Sequence, residues 1–422
     1  MSNTKRNLFF SIVLLISLSV SACASLLSEA EKAVGGEYGP TLSEQEHQLR
    51  TFDALWTNLQ ETYIYYETSN VKWDALQTTY KERINAGLTN DEFVAMLHDL
   101  EKELPAGALI YQSRDERLKA DTQDLSSYEG IGAIIGFQAE EVPHVVILDI
   151  IAGSPAEKAG LQPHDSIFAI DGNPVLVDEG LTVVNRVRGP AGSKVTLNVK
   201  TPGKPERSIE VTRGKLASTG KLDAYQIQGT QYGYMLFPPI SYSSMYNDVL
   251  ASLQEFTTNQ KIEGLILDLR ITGAGGAWPL ENLLTLFYNG KVGEFYNSAQ
   301  QTQTITITGK DQYSSQTVPL IILIGQNTSG SPEILAASLQ AGKRAILIGE
   351  PSPGSIESAS PFYLPDGSRI FIETSSFRLP NGVDFGNNGI KPNVTIEAGW
   401  DEVLPNADPV LEAAIATLDE QK

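Results

Sequence analysis

Residues 152–172 read AGSPAEKAGLQPHDSIFAIDG, and the order of their parts decides how the flanking chain is read. Ser154 precedes Pro155 and stands three residues before Glu157, an arrangement that caps a helix and fixes its first turn; Gly160 ends that helix after one or two turns. Ile167 to Ile170 then form a strand closed by the Asp171-Gly172 turn. Upstream, Val145 to Ile151 reads as a strand, and near Gly130 the texture changes to short β-rich runs, opening with GIGAIIG at 130–136. Downstream, an amphipathic helix is expected near Asp178 to Arg188, followed by strands over Lys194 to Lys200 and Arg207 to Thr212.

This order resembles a PDZ domain of the bacterial, circularly permuted kind. The stretches at 130–136 and 152–172, together with VRGPAGSKVTLNVK at 187–200, carry the resemblance. Such a domain takes up an extended chain end as an added strand. The resemblance therefore implies that the backbone N–H groups of Gly130, Ile131 and Gly132 receive a terminal carboxylate, with glycine letting the donors converge without a Cβ in the way.

The chain has 422 residues, 41% hydrophobic and 19% charged, enough for more than one domain and a sizeable core. With 31 basic against 51 acidic side chains the net charge is -20, which repels phosphate backbones and excludes a nucleic-acid partner. One cysteine and four histidines exclude a disulfide framework and a zinc knuckle, so neither a metal nor a cofactor is expected. Lys5 and Arg6 precede an apolar run from Leu8 to Val20, too short to cross a bilayer, so residues 1–22 read as a secretory signal. Val20-Ser21-Ala22-Cys23 resembles the bacterial lipobox. That implies lipid attachment at Cys23, a tether over residues 23–42, and an exported cell-envelope lipoprotein held to the membrane and facing outside the cytoplasm.

From Ser43 the pattern is helical. Ser43 with Glu46 and Thr89 with Glu92 have capping-box spacing, and Leu49, Phe52, Leu55 and Leu59 recur at helical steps, so residues 43–125 are expected to be a helical domain. Trp56 and Trp73 are read as core, and His98, opposite the apolar stripe, as solvated. Residues 126–213 form the PDZ-like domain. Over residues 214–422 apolar strands alternate with helices in α/β fashion: Gly233 to Phe237, Ile262 to Leu269, Val318 to Ile324 and Arg344 to Ile348 are strands. Met245 to Phe256, Pro279 to Tyr288 and Pro332 to Gln340 are helices, and Asp408-Pro409 starts a last one. The polar segment 290–317 reads as a strand pair or a lid.

KIEGLILDLR at 261–270, VPLIILIG at 318–325, LPNGVDFGNNGIKPNV at 379–394 and DPVLEAAIATL at 408–418 complete the pattern. Helical domain, PDZ domain and α/β core in this order resemble the tail-specific, or C-terminal processing, peptidases. The resemblance implies a multidomain α/β fold with a crotonase-like core. It also implies cleavage near an unstructured C-terminus by a serine nucleophile, a lysine base and a glutamine that orients the lysine. Such chemistry requires a hydroxyl at the mouth of a helix beside an amine of lowered pKa. In Thr328-Ser329-Gly330-Ser331-Pro332-Glu333 the nucleophile's place falls to Gly330, the base's place to Ser355 and the glutamine's to Ala359, so all three side chains are missing.

Gly275 and Gly276 resemble the turn that helps bind an oxyanion, with the N–H of Ser331 as its partner. The preceding loop Ile271-Thr272-Gly273-Ala274 is one residue longer than the family's form and lacks its Asn-Pro, and Pro105-Ala106-Gly107-Ala108 lacks the family's Asp-Pro-His. Ser329 and Ser331 flank the vacated position, although Ser331 also reads as a helix N-cap before Pro332. Three functions follow. The first is a catalytically silent protein that captures unfolded or C-terminal polypeptide segments, an adaptor or decoy for an active protease. The second is a serine endopeptidase with a rearranged site using Ser329, Ser331 or Ser355. The third is a scaffold. The first is preferred, because a displaced serine would still lack a base.

Overall fold

The computed structural model describes residues 42–122, 128–139, 142–216, 220–273, 278–386, 388–404 and 407–422. They form two compact units of mixed α/β structure. Of the described residues, the first takes those within Met1–Gln123, Asn297–Gln301 and Ser358–Ser375, the second those within Asp124–Tyr296, Thr302–Glu357 and Ser376–Lys422. The expected signal segment and Cys23 lie outside the described residues.

In the first unit the helices Glu44–Thr62 and Asn90–Glu103 both start with a complete capping box, made by Ser43 with Glu46 and by Thr89 with Glu92. Trp73–Asn85 lies between them in sequence. Phe52, Leu55, Leu59, Ile84, Met96, Leu97 and Leu100 are fully buried, each worth roughly 1.5–3 kcal/mol of burial. Trp56 meets Trp73 edge-on at 6.0 Å, as the core reading of both requires. His98 is not a freely solvated side chain: Nδ1 faces Glu101 and Nε2 faces Glu116, each at 3.2 Å, so two acidic neighbours recruit it. The strand Ile110–Gln112 pairs antiparallel with Arg369–Arg378, which pairs in turn with Ser358–Tyr363.

The second unit contains two six-stranded sheets. One has the order Ala133–Gln138, His144–Ile150, Ser166–Ile170, Lys194–Lys200, Arg207–Thr212, antiparallel throughout, with Asn173–Pro174 attached to the third strand. Ser154 caps the short helix Pro155–Lys158 as expected. The helix expected over 178–188 is instead a 3-10 stretch, Val177–Val183, and one α-turn, Val184–Val187. Gly180 at φ 50°, ψ -143° breaks the run, a conformation glycine adopts without a Cβ penalty.

The other sheet has the order Asp223–Gln226, Tyr232–Leu236, Gly264–Asp268, Leu320–Ile324, Ile346–Gly349, Val394–Thr395, parallel except for its first pair. Every residue of Gly264–Asp268 and Leu320–Ile324 is buried because both faces are covered. Leu265, Leu267, Leu320 and Ile322 pack with helices Met245–Glu255, Leu280–Phe287 and Ser331–Ala341, whereas Ile266, Ile321 and Leu323 pack with Pro409–Glu420. The 290–317 segment is a strand pair, Gly290–Asn297 with Thr302–Ile307.

Two of the quoted motifs meet at one ion cluster. The buried Arg270 guanidinium reaches Asp268 at 2.6 Å and Asp408 at 2.6 Å and lies over the Trp400 ring at 5.1 Å. Asp408 also caps the last helix by accepting from the N–H groups of Val410 and Leu411. The Arg of LILDLR therefore fixes the start of DPVLEAAIATL.

Candidate functional site: a strand-to-helix turn and its carboxylate clamp

The fully buried strand Leu320–Ile324 leads through residues 325–330 into the helix Ser331–Ala341, a sharp strand-to-helix turn of the kind that presents nucleophiles. Thr328 locks the turn. Its hydroxyl donates to the Leu269 carbonyl at 2.8 Å and accepts from the Gly325 N–H at 3.0 Å. The Ser329 N–H donates to the Thr272 carbonyl at 3.1 Å, tying the turn to the neighbouring loop.

Gly330 is the helix N-cap, at φ 70° and ψ -127°. Ser331 is thus the first helical residue, not the cap, and Pro332 the second. The reason is conformational: the turn requires positive φ, which glycine supplies freely, and Glu333 at the third helical position accepts from the cap's own N–H, the half of a capping box that needs no cap side chain. The Gly330 N–H donates to Glu333 Oε2 at 2.9 Å.

Glu333 has no solvent exposure. Its other oxygen accepts from Ser352 Oγ at 2.5 Å and the Gly354 N–H at 2.7 Å, and the backbone of Ser355 also bonds to the carboxylate. Burial pushes the Glu333 carboxyl above its ordinary range, against the pull of these donors. Ser352 passes the link onward: its hydroxyl accepts from the Ile390 N–H at 2.9 Å. Gly389, at φ 66°, approaches so closely that a Cβ there would stand 1.7 Å from the Ser352 carbonyl oxygen.

Gly330 and Ser355, the positions matched to nucleophile and base, are thus joined through one carboxylate. Ser355 is exposed and Ser329 and Ser331 are half-buried. Among the described residues no lysine amine is hydrogen-bonded to any of the three hydroxyls. Lys343 sits exposed beyond the end of the helix, and Lys391 is exposed with its carbonyl taking a bond from Gln340. Ala359 lies in the first unit, exposed on the strand Ser358–Tyr363. Gly275 and Gly276 lie outside the described residues.

The strand Ala133–Gln138 is an edge of its sheet among the described residues, as is Arg207–Thr212 at the other end, and an edge is where an added strand pairs. Before it, the Ile131 carbonyl accepts from Ala156 at 2.7 Å and the Gly132 carbonyl from Ile151 at 2.9 Å. The Ile131 side chain is core, and a Cβ on Gly132, at φ 84°, would stand 2.4 Å from Ser154 Cβ. Leu176, Val177 and Leu181, all more than half exposed, lie in and beside the 3-10 stretch. Gly136 on the edge strand abuts the turn that leads to Gly330, for a Cβ there would stand 2.6 Å from Asn327 Oδ1.

Sequence reasoning did not find the junction between the two sheets. His144 Nε2 faces Asp401 Oδ2 at 2.8 Å, its Nδ1 faces the Val142 carbonyl at 2.7 Å, and Ser166 Oγ donates to the same Asp401 oxygen at 2.9 Å. Burial lowers the His144 pKa, but its bonds to Asp401 and Val142 outweigh this and raise it above the ordinary value. Asp401 is held below the usual carboxylate range because the bonds from His144 and Ser166 overcome its burial. His164 lies 4.2 Å from the Trp400 ring.

Residues 231–396 match the family model described as Peptidase family S41, residues 146–201 that of a PDZ domain, and residues 45–100 that of a Tricorn protease C1 domain. The chain is 29% identical over 376 residues to a carboxyl-terminal-processing protease of Synechocystis sp., covering 86% of this chain and 85% of that one. It is 27% identical over 385 residues to a chloroplastic C-terminal processing peptidase of Tetradesmus obliquus, covering 87% and 80%. Among solved structures, the photosystem II D1 C-terminal processing protease superposes with a TM-score of 0.64 at 24% identity, covering 90% of this chain and 98% of that one, which speaks for the fold.

Proposed function

From the premise that the chain belongs to the tail-specific, or C-terminal processing, peptidase family and carries a PDZ domain, we propose that it captures unfolded or C-terminal polypeptide segments without cleaving them. The observation that carries this reading is Gly330 in the nucleophile's place, with no side-chain oxygen to attack a carbonyl. Ser355 in the base's place and Ala359 in the glutamine's point the same way. Loss of a nucleophile lowers turnover by around a million-fold in a serine protease, leaving binding and oxyanion contacts.

The open edge of Ala133–Gln138 is the proposed seat of the captured segment, with Gly130, Ile131 and Gly132 facing its carboxylate. An adaptor or decoy role beside an active protease belongs to the same proposal. So do export through residues 1–22 and lipid anchoring at Cys23. Cys23→Ser should release the protein from membranes, and continued retention would refute the anchor.

The rival reading, an active endopeptidase using Ser329 or Ser331, draws on the protease names of the relatives. Residues 24–422 incubated with an unfolded substrate bearing an apolar C-terminal tail decide between them. We expect tail binding without cleavage. Cleavage abolished by Ser329→Ala, Ser331→Ala or Ser355→Ala would establish the rival, and absence of both binding and cleavage would leave a scaffold.

A further inference from the structure

We infer that Glu333 is a positioning residue that holds the backbones of the nucleophile and base positions at working spacing, so that restoring two side chains, with Gly330→Ser and Ser355→Lys, suffices to give an acylatable serine. The inference rests on the reading that hydrolysis was lost through side chains alone.

Three observations support it. The carboxylate is fully buried, and among the described residues it forms no salt bridge. Its acceptor positions are instead taken by donors from two loops: the Gly330 N–H on one side, and Ser352 Oγ, the Gly354 N–H and the Ser355 backbone on the other. A carboxylate offers about four lone-pair sites, and four donors meet them. Starting the helix needs much less. Glu46 and Glu92 complete their capping boxes in the first unit while giving a single oxygen to their own cap residue and remaining exposed. Glu333 also serves a second loop 19 to 21 residues away. Finally, Gly330 keeps φ 70°, ψ -127° on a strand-to-helix turn, a conformation free to glycine but strained for a residue with a Cβ, and one that nucleophile turns impose.

The test is covalent labelling by a fluorophosphonate. The introduced hydroxyl forms an O–P bond as the P–F bond breaks, its proton passes to the introduced amine, and fluoride leaves. Residues 24–422 carrying both substitutions should label faster than the unsubstituted protein by about a hundredfold or more, with a rate that climbs as the amine loses its proton. Adding Glu333→Gln, which keeps the shape but replaces one acceptor by a donor, should return the rate toward background while circular dichroism stays native.

A folded double variant that does not label overturns the inference, as does labelling indifferent to Glu333→Gln. If the double variant fails to fold, hydrogen exchange of Glu333→Gln in the otherwise unsubstituted protein decides. The Gly330 and Gly354 amides should exchange faster together; unchanged protection at both overturns the clamp. Labelling of the unsubstituted protein at Ser329 or Ser331 would defeat the proposed function instead, and the exchange measurement would still judge Glu333.

Discussion

The capping-box glutamates of the first unit and the buried, shared carboxylates of the second do different work. In the first, Glu46 and Glu92 bond to the residue three before them and do nothing further along the chain. In the second, Glu333 joins Gly330 to Ser352 and Gly354, Asp408 joins a helix start to Arg270, and Asp401 joins His144 and Ser166 across more than two hundred residues. A local acceptor replaceable by water contributes modestly, whereas a buried acceptor shared by several donors leaves all of them unsatisfied when it goes.

The sharpest test of that contrast is Glu333→Leu. Stranding several buried donors, each worth roughly 1–3 kcal/mol, should destabilise the protein by about 4 kcal/mol in urea unfolding. A loss no larger than that of Thr89→Ala, about 1 kcal/mol, would erase the difference between the two kinds of carboxylate. Glycines offer the next test. Gly389→Ala drives a Cβ to within 1.7 Å of the Ser352 carbonyl oxygen and should cost about 3 kcal/mol or more. Gly87→Ala also falls at a positive φ, 90°, but meets nothing within 4 Å, and should cost only about 1–2 kcal/mol. Equal losses would show that strain alone matters and that the Gly389 approach does not.

The same contrast explains what the sequence reveals. Continuous apolar runs such as VPLIILIG mark strands covered on both faces, and Leu320–Ile324 lies inside that run. Helix starts at Ser43 and Thr89 are legible because cap and box residue are three apart. The same local rule misplaces the cap at Ser331, since it is blind to the positive φ required at Gly330 and to the second loop on Glu333. Asp178 to Arg188 has helical periodicity, but Gly180 interrupts it. Arg270 with Asp408 and His144 with Asp401 are 138 and 257 residues apart, and no spacing rule connects them. The turn at Gly330 was legible because it lies in a contiguous motif; the Glu333 clamp under it, which reaches 19 to 21 residues along the chain, was not.

The smallest expected effect comes from the junction, where pH separates long-range from local carboxylates. His144 faces Asp401, the Val142 carbonyl and the Phe168 ring, with Lys200 opposing its charge. Its folded pKa lies above the ordinary 6.5, so its stabilisation is complete below that value and fades as pH rises through the folded pKa. The Asp401 pKa lies below the ordinary 3.8, so its stabilisation is present above 3.8 and fades as pH falls through the depressed value. The pair is strongest between about pH 4 and about pH 6.5. His144→Asn should therefore lower Tm by roughly 1–2 °C near pH 5.5, and the gap should narrow as pH is raised well above neutrality. A gap independent of pH would mean that His144 acts there by packing on Phe168 and not by charge.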